Sequence, residues 1–290
     1  LIRRIAHLSD IHILDARAAA TLASYRFATR FLSAGRSVDP ALRRRRLCRA
    51  LALAKASGAQ HFVISGDLTE VGAGAEFEQF AEVLHEARLP AESVTLVPGN
   101  HDAYTHADAW RKALDGPLAR FRTGSAATAG KVVDRGAVAI LPVDTTCFQS
   151  IASSRGVFTR GMVEAVERRA KDPAFREKAL VLVTHHPPFH PHALPIVRWM
   201  DGLRGAAEVL ELFARQPRLQ LLHGHLHRVF DRILATRAAR LRLIAKTDAD
   251  ATPTRAFGAP ATCDGPDDAP NVRVYDVRDG ALHAASIHAA

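Results

Sequence analysis

Short runs of aliphatic and β-branched residues alternate along this chain with longer stretches whose apolar positions recur every three or four residues. The short runs over 5–8, 62–65, 94–97, 138–143, 180–184 and 219–223 predict strands. The longer stretches over 41–57, 75–87, 108–114, 159–171 and 205–215 predict helices. In the helix over 75–87, Phe77, Phe80, Ala81 and Leu84 share one face while Glu78, Glu82 and Glu86 occupy another, so one side is buried. Leu180, Val181, Leu182 and Val183 show no polar alternation, which requires cover on both faces of their sheet. Such alternation of strand and helix predicts an α/β fold. Beyond Arg228 the texture turns to β, with strands expected over 229–234, 241–245, 272–277 and 281–287. The last two flank Arg278-Asp279-Gly280, where Asp-Gly supplies the positive backbone angles of a tight hairpin. Residues 248–270 are loaded with Pro, Gly, Asp and Thr, and are expected either to be mobile or to carry a short strand near 256–262. Without a repeat or a convincing linker, the expectation is one domain over 1–290, completed by the β segments of 229–290.

Composition narrows the class. A chain of 290 residues, 48% hydrophobic, can bury the core of one large domain. It has no uninterrupted apolar run of about 18 residues, so a membrane-spanning helix is not expected. Its first eight residues read as a strand containing Arg3 and Arg4 rather than as a signal peptide. Cys48, Cys147 and Cys263 are odd in number and lack metal-type spacing, which points to a reducing compartment, the cytoplasm by default. The formal net charge of +9 comes nearly all from arginine and suits a phosphate-bearing partner, although an Ala- and Arg-rich background accounts for it equally well.

Five motifs change the picture. Asp10-x-His12, Gly66-Asp67, Gly99-Asn100-His101-Asp102, His185 and Gly224-His225-x-His227 each follow a predicted strand. If those strands lie side by side, their ends gather nitrogen and oxygen donors at one edge, as a two-metal hydrolytic site requires. Asp67 is the natural bridging carboxylate, and the spacing of Asp10 with His12 lets both reach one metal if the chain bends there. His225 and His227 repeat that spacing. Glycines 66, 99 and 224 precede donors and allow the backbone to turn tightly beneath them. A donor set of imidazole, carboxylate and amide without thiolate suits two divalent ions drawn from Mn, Fe, Zn or Co, with Mn the first choice in vitro. Any one motif alone is more often a turn or a surface contact; the ordered set is not.

On these motifs the chain resembles the calcineurin-like metallophosphoesterases. Gly66-Asp67-Leu68-Thr69, Glu76-Phe77 and Gly99-Asn100-His101-Asp102 resemble the branch holding class III cyclic-nucleotide phosphodiesterases and glycerophosphodiesterases. The resemblance implies a four-layer αββα sandwich of two mixed sheets flanked by helices, with a dinuclear site at the strand ends. It assigns Asp10, His12, Asp67 and His227 to one metal, and Asp67, Asn100, His185 and His225 to the other. Thr69-Glu70-Val71 and Asp102 depart from the protein-phosphatase pattern, and no tyrosine follows Gly66-Asp67 as it does in purple acid phosphatases. The expected reaction is in-line attack on phosphorus by a metal-bridging hydroxide, with His101 protonating the leaving alkoxide and Asp102 orienting His101. His186, His190 and His192 are weaker candidates for substrate contact.

Residues 16–46 form a segment longer than a strand-to-helix connection needs. Leu22, Tyr25, Phe27, Phe31 and Leu32 interleave there with Arg17, Arg26, Arg30 and Arg36, ahead of Arg43 to Arg46. Placed after Asp10 and His12, the segment is expected at the mouth of the site, either as an amphipathic helix with its arginines in water or as a contact for an anionic membrane surface. The leading expectation is a phosphodiesterase. A pyrophosphohydrolase of nucleotide-linked lipids, peripheral to the inner membrane, is the alternative, and a non-catalytic scaffold ranks third. No dedicated nucleic-acid-binding module is evident.

Overall fold

A computed structural model describes residues 1–33, 35–192, 194–234, 254–266 and 270–285. The strands in chain order are β1 (Arg4–Leu8), β2 (His61–Ser65), β3 (Val94–Val97), β4 (Val133–Asp134), β5 (Val138–Pro142), β6 (Gly156–Val157) and β7 (Ala179–Val183). They continue with β8 (Leu203–Arg204), β9 (Leu219–His223), β10 (Phe230–Ile233), β11 (Arg255–Gly258), β12 (Arg273–Arg278) and β13 (Ala281–Ala285). The helices are α1 (Ala16–Thr21), α2 (Ala23–Leu32), α3 (Pro40–Ala56), α4 (Gly74–Glu86), α5 (Ala109–Asp115), α6 (Arg160–Ala170), α7 (Pro195–Asp201) and α8 (Ala206–Arg215).

Two mixed sheets dominate. One has the order β13-β12-β1-β2-β3, with β1, β2 and β3 parallel. The other has the order β10-β11-β9-β7-β5-β4, with β5, β7, β9 and β11 parallel. Period-two alternation divides the side chains of the central strands between layers. Ile5, Val63, Val97, Ile140, Val181 and Leu222 meet between the sheets. Their neighbours Ala6, Phe62, Ile64 and Leu96 pack with Leu47 and Leu51 of α3 and Phe77 and Phe80 of α4. On the far side Leu141, Leu182 and Leu221 pack under Val163 of α6 and Leu212 of α8. These three apolar layers make the αββα sandwich, and they explain why the strands needed apolar residues in succession.

The β-rich C-terminal part closes both sheets: β12 pairs antiparallel with β1, and β11 pairs parallel with β9. The Asp-Gly hairpin forms as expected, with φ 53° at Asp279 and 67° at Gly280. A strand does occur near 256–262, namely β11, whereas the strand expected over 241–245 lies outside the described residues. The segment 16–46 folds as α1, α2 and the first turns of α3, with α1 capped at its start by Asp15 and joined to α2 at Leu22. The Pro-rich loop at 187–195 leads into α7, which periodicity over seven residues was too short to reveal.

Candidate metal centre

The parallel strands β1, β2, β3, β5, β7 and β9 point their C-terminal ends to one edge, and every candidate ligand follows within four residues of an end. Asp10, His12, Asp67, His225 and His227 adopt left-handed backbone, with φ between 50° and 69°. Asp and His tolerate that region better than most residues, yet each still costs about 1 kcal/mol or more. Of the seven non-glycine residues with positive φ among those described, five are these candidate ligands. The bends turn alternate side chains to the same side, which is how two donors spaced two apart converge. Backbone hydrogen bonds between the strand ends hold the bends: Asp10 N–H donates to Gly66 O at 3.0 Å, His12 N–H to Asp67 O at 2.9 Å, and Gly224 N–H to His185 O at 3.1 Å.

Donor atoms of Asp10, His12, Asp67 and His227 lie within 4.8 Å of one another, as the resemblance implied for the first metal. At their centre is one carboxylate oxygen. Asp67 Oδ2 is 3.3 Å from His185 Nε2, 3.7 Å from His12 Nε2 and 4.0 Å from His101 Nε2. Two of these rings are anchored by the other nitrogen, His185 Nδ1 to Ser65 O at 2.8 Å and His101 Nδ1 to Glu70 O at 2.7 Å, which fixes their tautomers and leaves Nε2 facing the site. His12 Nδ1 lies 3.3 Å from Glu70 Oε2. Asp10 Oδ2, His12 Nε2, Asn100 Oδ1 and His185 Nε2 are buried and have no hydrogen-bond partner in the protein. Buried polar atoms are rarely left so, and this group has the donor chemistry of a divalent transition-metal pair.

The electrostatics agree. Burial alone would raise the carboxyl of Asp67, but His185, His101 and His12 hold it well below the usual carboxylate range. Conversely burial opposes protonation of His185, and the carboxylates of Asp67 and Asp10 overcome it, pushing that imidazole up to about 9. His227 rises to about 10, against burial, because Asp10 and Asp264 accept from it. Protons thus occupy the positions cations would take, and metal binding would release them. Gly66 has φ 102°, and a Cβ there would lie 2.4 Å from His185 Nδ1, so the tight turn and the close ring both require glycine.

The second proposed set gathers less completely. His185 faces Asp67, and Asn100 turns Oδ1 free by donating from Nδ2 to Tyr104 OH at 2.9 Å. His225 sits beside His185, its Nε2 directed to Asp201 at 2.8 Å from the carbonyl oxygen and 3.0 Å from Oδ1. Asp102 does not orient His101. Its carboxylate accepts from the backbone N–H groups of Leu68, Thr69 and Gly99 and from Thr69 Oγ1, tying the Gly-Asp and Asn-His loops together, while the Glu70 carbonyl orients the imidazole. His186 is structural, both ring nitrogens being engaged by Thr145 Oγ1 and Ser154 O. His190 pairs with Asp201, and His192 is exposed.

Five residues to which sequence reasoning gave no part in the site support it. Glu70 is fully buried behind His12, hydrogen-bonded by Ser33 Oγ and flanked by Arg43 and Arg36 at 3.7 Å each. Arg36 also lies 3.2 Å from the His227 ring nitrogens. Tyr104 and Asp201 position Asn100 and His225, as described. Arg43, expected in the exposed basic run, is instead completely buried. A Glu three residues after a Gly-Asp motif was the available signal for Glu70, and Tyr104 follows Asn100 by only four positions, whereas Arg36, Arg43 and Asp201 are separated from their partners by too much chain.

A sequence model of the calcineurin-like phosphoesterases matches residues 3–229. The chain belongs to the calcineurin-like phosphoesterase family. Among solved structures, this phosphoesterase is similar to a dimetal phosphatase from Danio rerio, with a TM-score of 0.65 and 12% identity over 95% of this chain and 93% of that one. A purple acid phosphatase from yellow lupin matches with a TM-score of 0.53 and 10% identity, over all of this chain and 46% of its own. Identities this low carry the fold alone. A search of curated proteins finds no match. Among the described residues no helix is long and apolar enough to cross a membrane.

Proposed function

We propose that this phosphoesterase hydrolyses phosphodiesters with the help of two divalent cations. The observation that carries this reading is the position of Asp67 Oδ2, ringed by the Nε2 atoms of His12 and His185, with Asp10 and His227 on the His12 side. A carboxylate so placed can serve two cations at once. Asp10, His12, Asp67 and His227 would hold one; Asp67, Asn100, His185 and His225 would hold the other. When bound, such cations supply an acidified water and neutralise charge growing on phosphate oxygens.

The remaining work falls to the chain. His101, with Nδ1–H fixed on the Glu70 carbonyl, presents Nε2 toward the cluster and in its protonated form can hand a proton to the departing alkoxide. Tyr104 and Glu70 keep Asn100 and His12 in place. Charge at the rim favours a diester over a monoester. Asp201 and Asp264, both partly exposed, border the centre, and Arg36 already faces Glu70 and His227. A diester monoanion meets less repulsion there than a monoester dianion.

The test is turnover by the Mn-loaded and the chelated protein of an aryl phosphodiester, cyclic AMP, an aryl monoester and a nucleotide-diphospho-lipid. Metal-dependent hydrolysis led by a diester is expected. Preference for the monoester would remove the diester assignment, and no metal-dependent turnover on any of them would remove the enzyme reading.

A further inference from the structure

The metal edge also carries most of the exposed large hydrophobic side chains among the described residues. Among the described residues thirteen large hydrophobic side chains are exposed, and eleven of them lie in connections that leave the C-terminal ends of β1, β5, β7 and β9. The connection after β1 exposes Leu22, and Phe27 and Phe31 on successive turns of α2. After β5 come Phe148 and Ile151; after β7, α7 and its approach expose Leu194, Ile196, Trp199 and Met200. Only Leu1 and Ile233 lie elsewhere. Random scatter of exposed apolar residues needs no explanation, whereas concentration at one edge marks an interaction surface.

These segments are continuous with the centre. Asp201 at the end of α7 contacts His225, and the backbone of Met200 accepts from Ser153 and Ser154 in the β5 connection. Arg155 of that connection stacks over the Trp199 ring at 5.2 Å. On the opposite flank, Arg36 beyond α2 reaches His227. The apolar positions are interleaved with arginine: residues 16–38, 145–158, 186–200 and 226–230 hold seven, with Asp15, Asp39, Asp144, Asp201 and Asp231 at their borders. On α2, Arg26 and Arg30 share the exposed side with Phe27 and Phe31, while Tyr25, Ala28, Thr29 and Leu32 face the protein.

We propose that this rim docks the metal edge onto an anionic phospholipid bilayer. Apolar side chains enter the headgroup boundary, and the interleaved guanidinium groups meet lipid phosphates, the pairing that interfacial segments use. A soluble anion accounts for the arginines but not for ten exposed large hydrophobic side chains on the β1, β5 and β7 connections. A purely hydrophobic protein partner leaves the arginines opposed by nothing. The proposal does not depend on the reaction, since binding can be measured without turnover.

Trp199 is a built-in reporter. It is 58% exposed, whereas Trp110, the other tryptophan, is 6% exposed. The full-length, Mn-loaded protein is mixed with phosphatidylcholine vesicles with and without phosphatidylglycerol, and sedimentation and tryptophan emission are read. Expected are co-sedimentation and a blue shift with the anionic vesicles only, weakening as salt rises. The pair Arg26→Glu and Arg30→Glu should lower partitioning about tenfold or more. Phe27→Ser with Phe31→Ser should lower it comparably, while Leu1→Ser does not, and all variants should keep wild-type turnover of a soluble diester. No sedimentation and no blue shift at any anionic content would overturn the proposal. So would equal binding to neutral vesicles, or a concentration-dependent dimer that Trp199→Ser abolishes in a protein that ignores vesicles.

Discussion

Gly99→Ala isolates the packing of the centre from its backbone strain. Gly99 has φ −109° and ψ −178°, which alanine adopts freely, so the substitution adds no conformational cost. Its Cβ, however, would lie 2.2 Å from Asp67 Oδ1, 2.4 Å from Asp67 N and 2.8 Å from Asp67 Cγ. Ordinary contact begins at 3.4 Å, so the Asp67 carboxylate must retreat by about 1 Å or the two loops must part. Oδ1 would also lose the His101 N–H bond at 2.9 Å. Overpacking of this kind costs about 1–3 kcal/mol. Metal ligands tolerate displacements of only about 0.2 Å, and Asp67 is the ligand both cations would share. The expected outcome is a melting temperature lowered by about 5 °C, less than one Mn per chain by elemental analysis, and diester turnover down by at least about 100-fold. Gly74→Ala is the control: its Cβ meets nothing within 4 Å at the first position of α4, and it should be neutral or slightly stabilising. Two metals per chain and wild-type turnover in Gly99→Ala would refute the assignment of Asp67 as the shared ligand. So would a destabilised variant that keeps its full metal content.

His101→Gln should lower kcat for the aryl diester by about 100-fold or more while leaving metal content near wild type, because its ring is a proton donor rather than a ligand of either set; unchanged kcat would end that role. Glu70→Gln removes the charge behind His12 and leaves Arg43 buried beside a neutral amide, so Mn affinity measured by titration should fall about 10–100-fold, and unaltered affinity would show that His12 needs no such support. Buried rings make the fold acid-labile. Burial holds His61 at about 3, where it bonds Thr95, and lowers His223 to about 4, while His7 lies well below its ordinary value. Each is neutral in the fold, so stability is full above about pH 6.5 and is lost as pH falls toward those folded values. For His61 alone the loss at pH 5 is about 2 kcal/mol, read as a smaller gap between urea midpoints at pH 7 and pH 5 in His61→Gln; an unchanged gap would refute the burial argument.

How far the sequence reached can be traced residue by residue. Strand and helix positions were legible because periodicity is local: Val181 and Leu182 face opposite layers wherever the strand is placed, and Leu84 follows Phe80 and Phe77 on one helix face. The candidate ligands were legible because each sits within a few residues of a strand end, so the order of motifs along the chain maps directly onto one edge of the sheets. What the sequence could not supply are contacts made between residues far apart along the chain. Asp102 was read as the partner of its neighbour His101, but the turn at Gly99 carries its carboxylate back to Leu68 and Thr69. Arg43 sat in a run of arginines that looked uniformly exposed, and helical rotation placed it inside, opposite Glu70. The apolar residues of α2 and α7 are separated by more than 160 positions and became one rim only when β1 and β7 ended at the same edge. Residue types and their spacing therefore determined which chemistry this chain can perform. Tertiary packing alone decided which nitrogen faces which oxygen, because donor geometry depends on distances that no local pattern encodes.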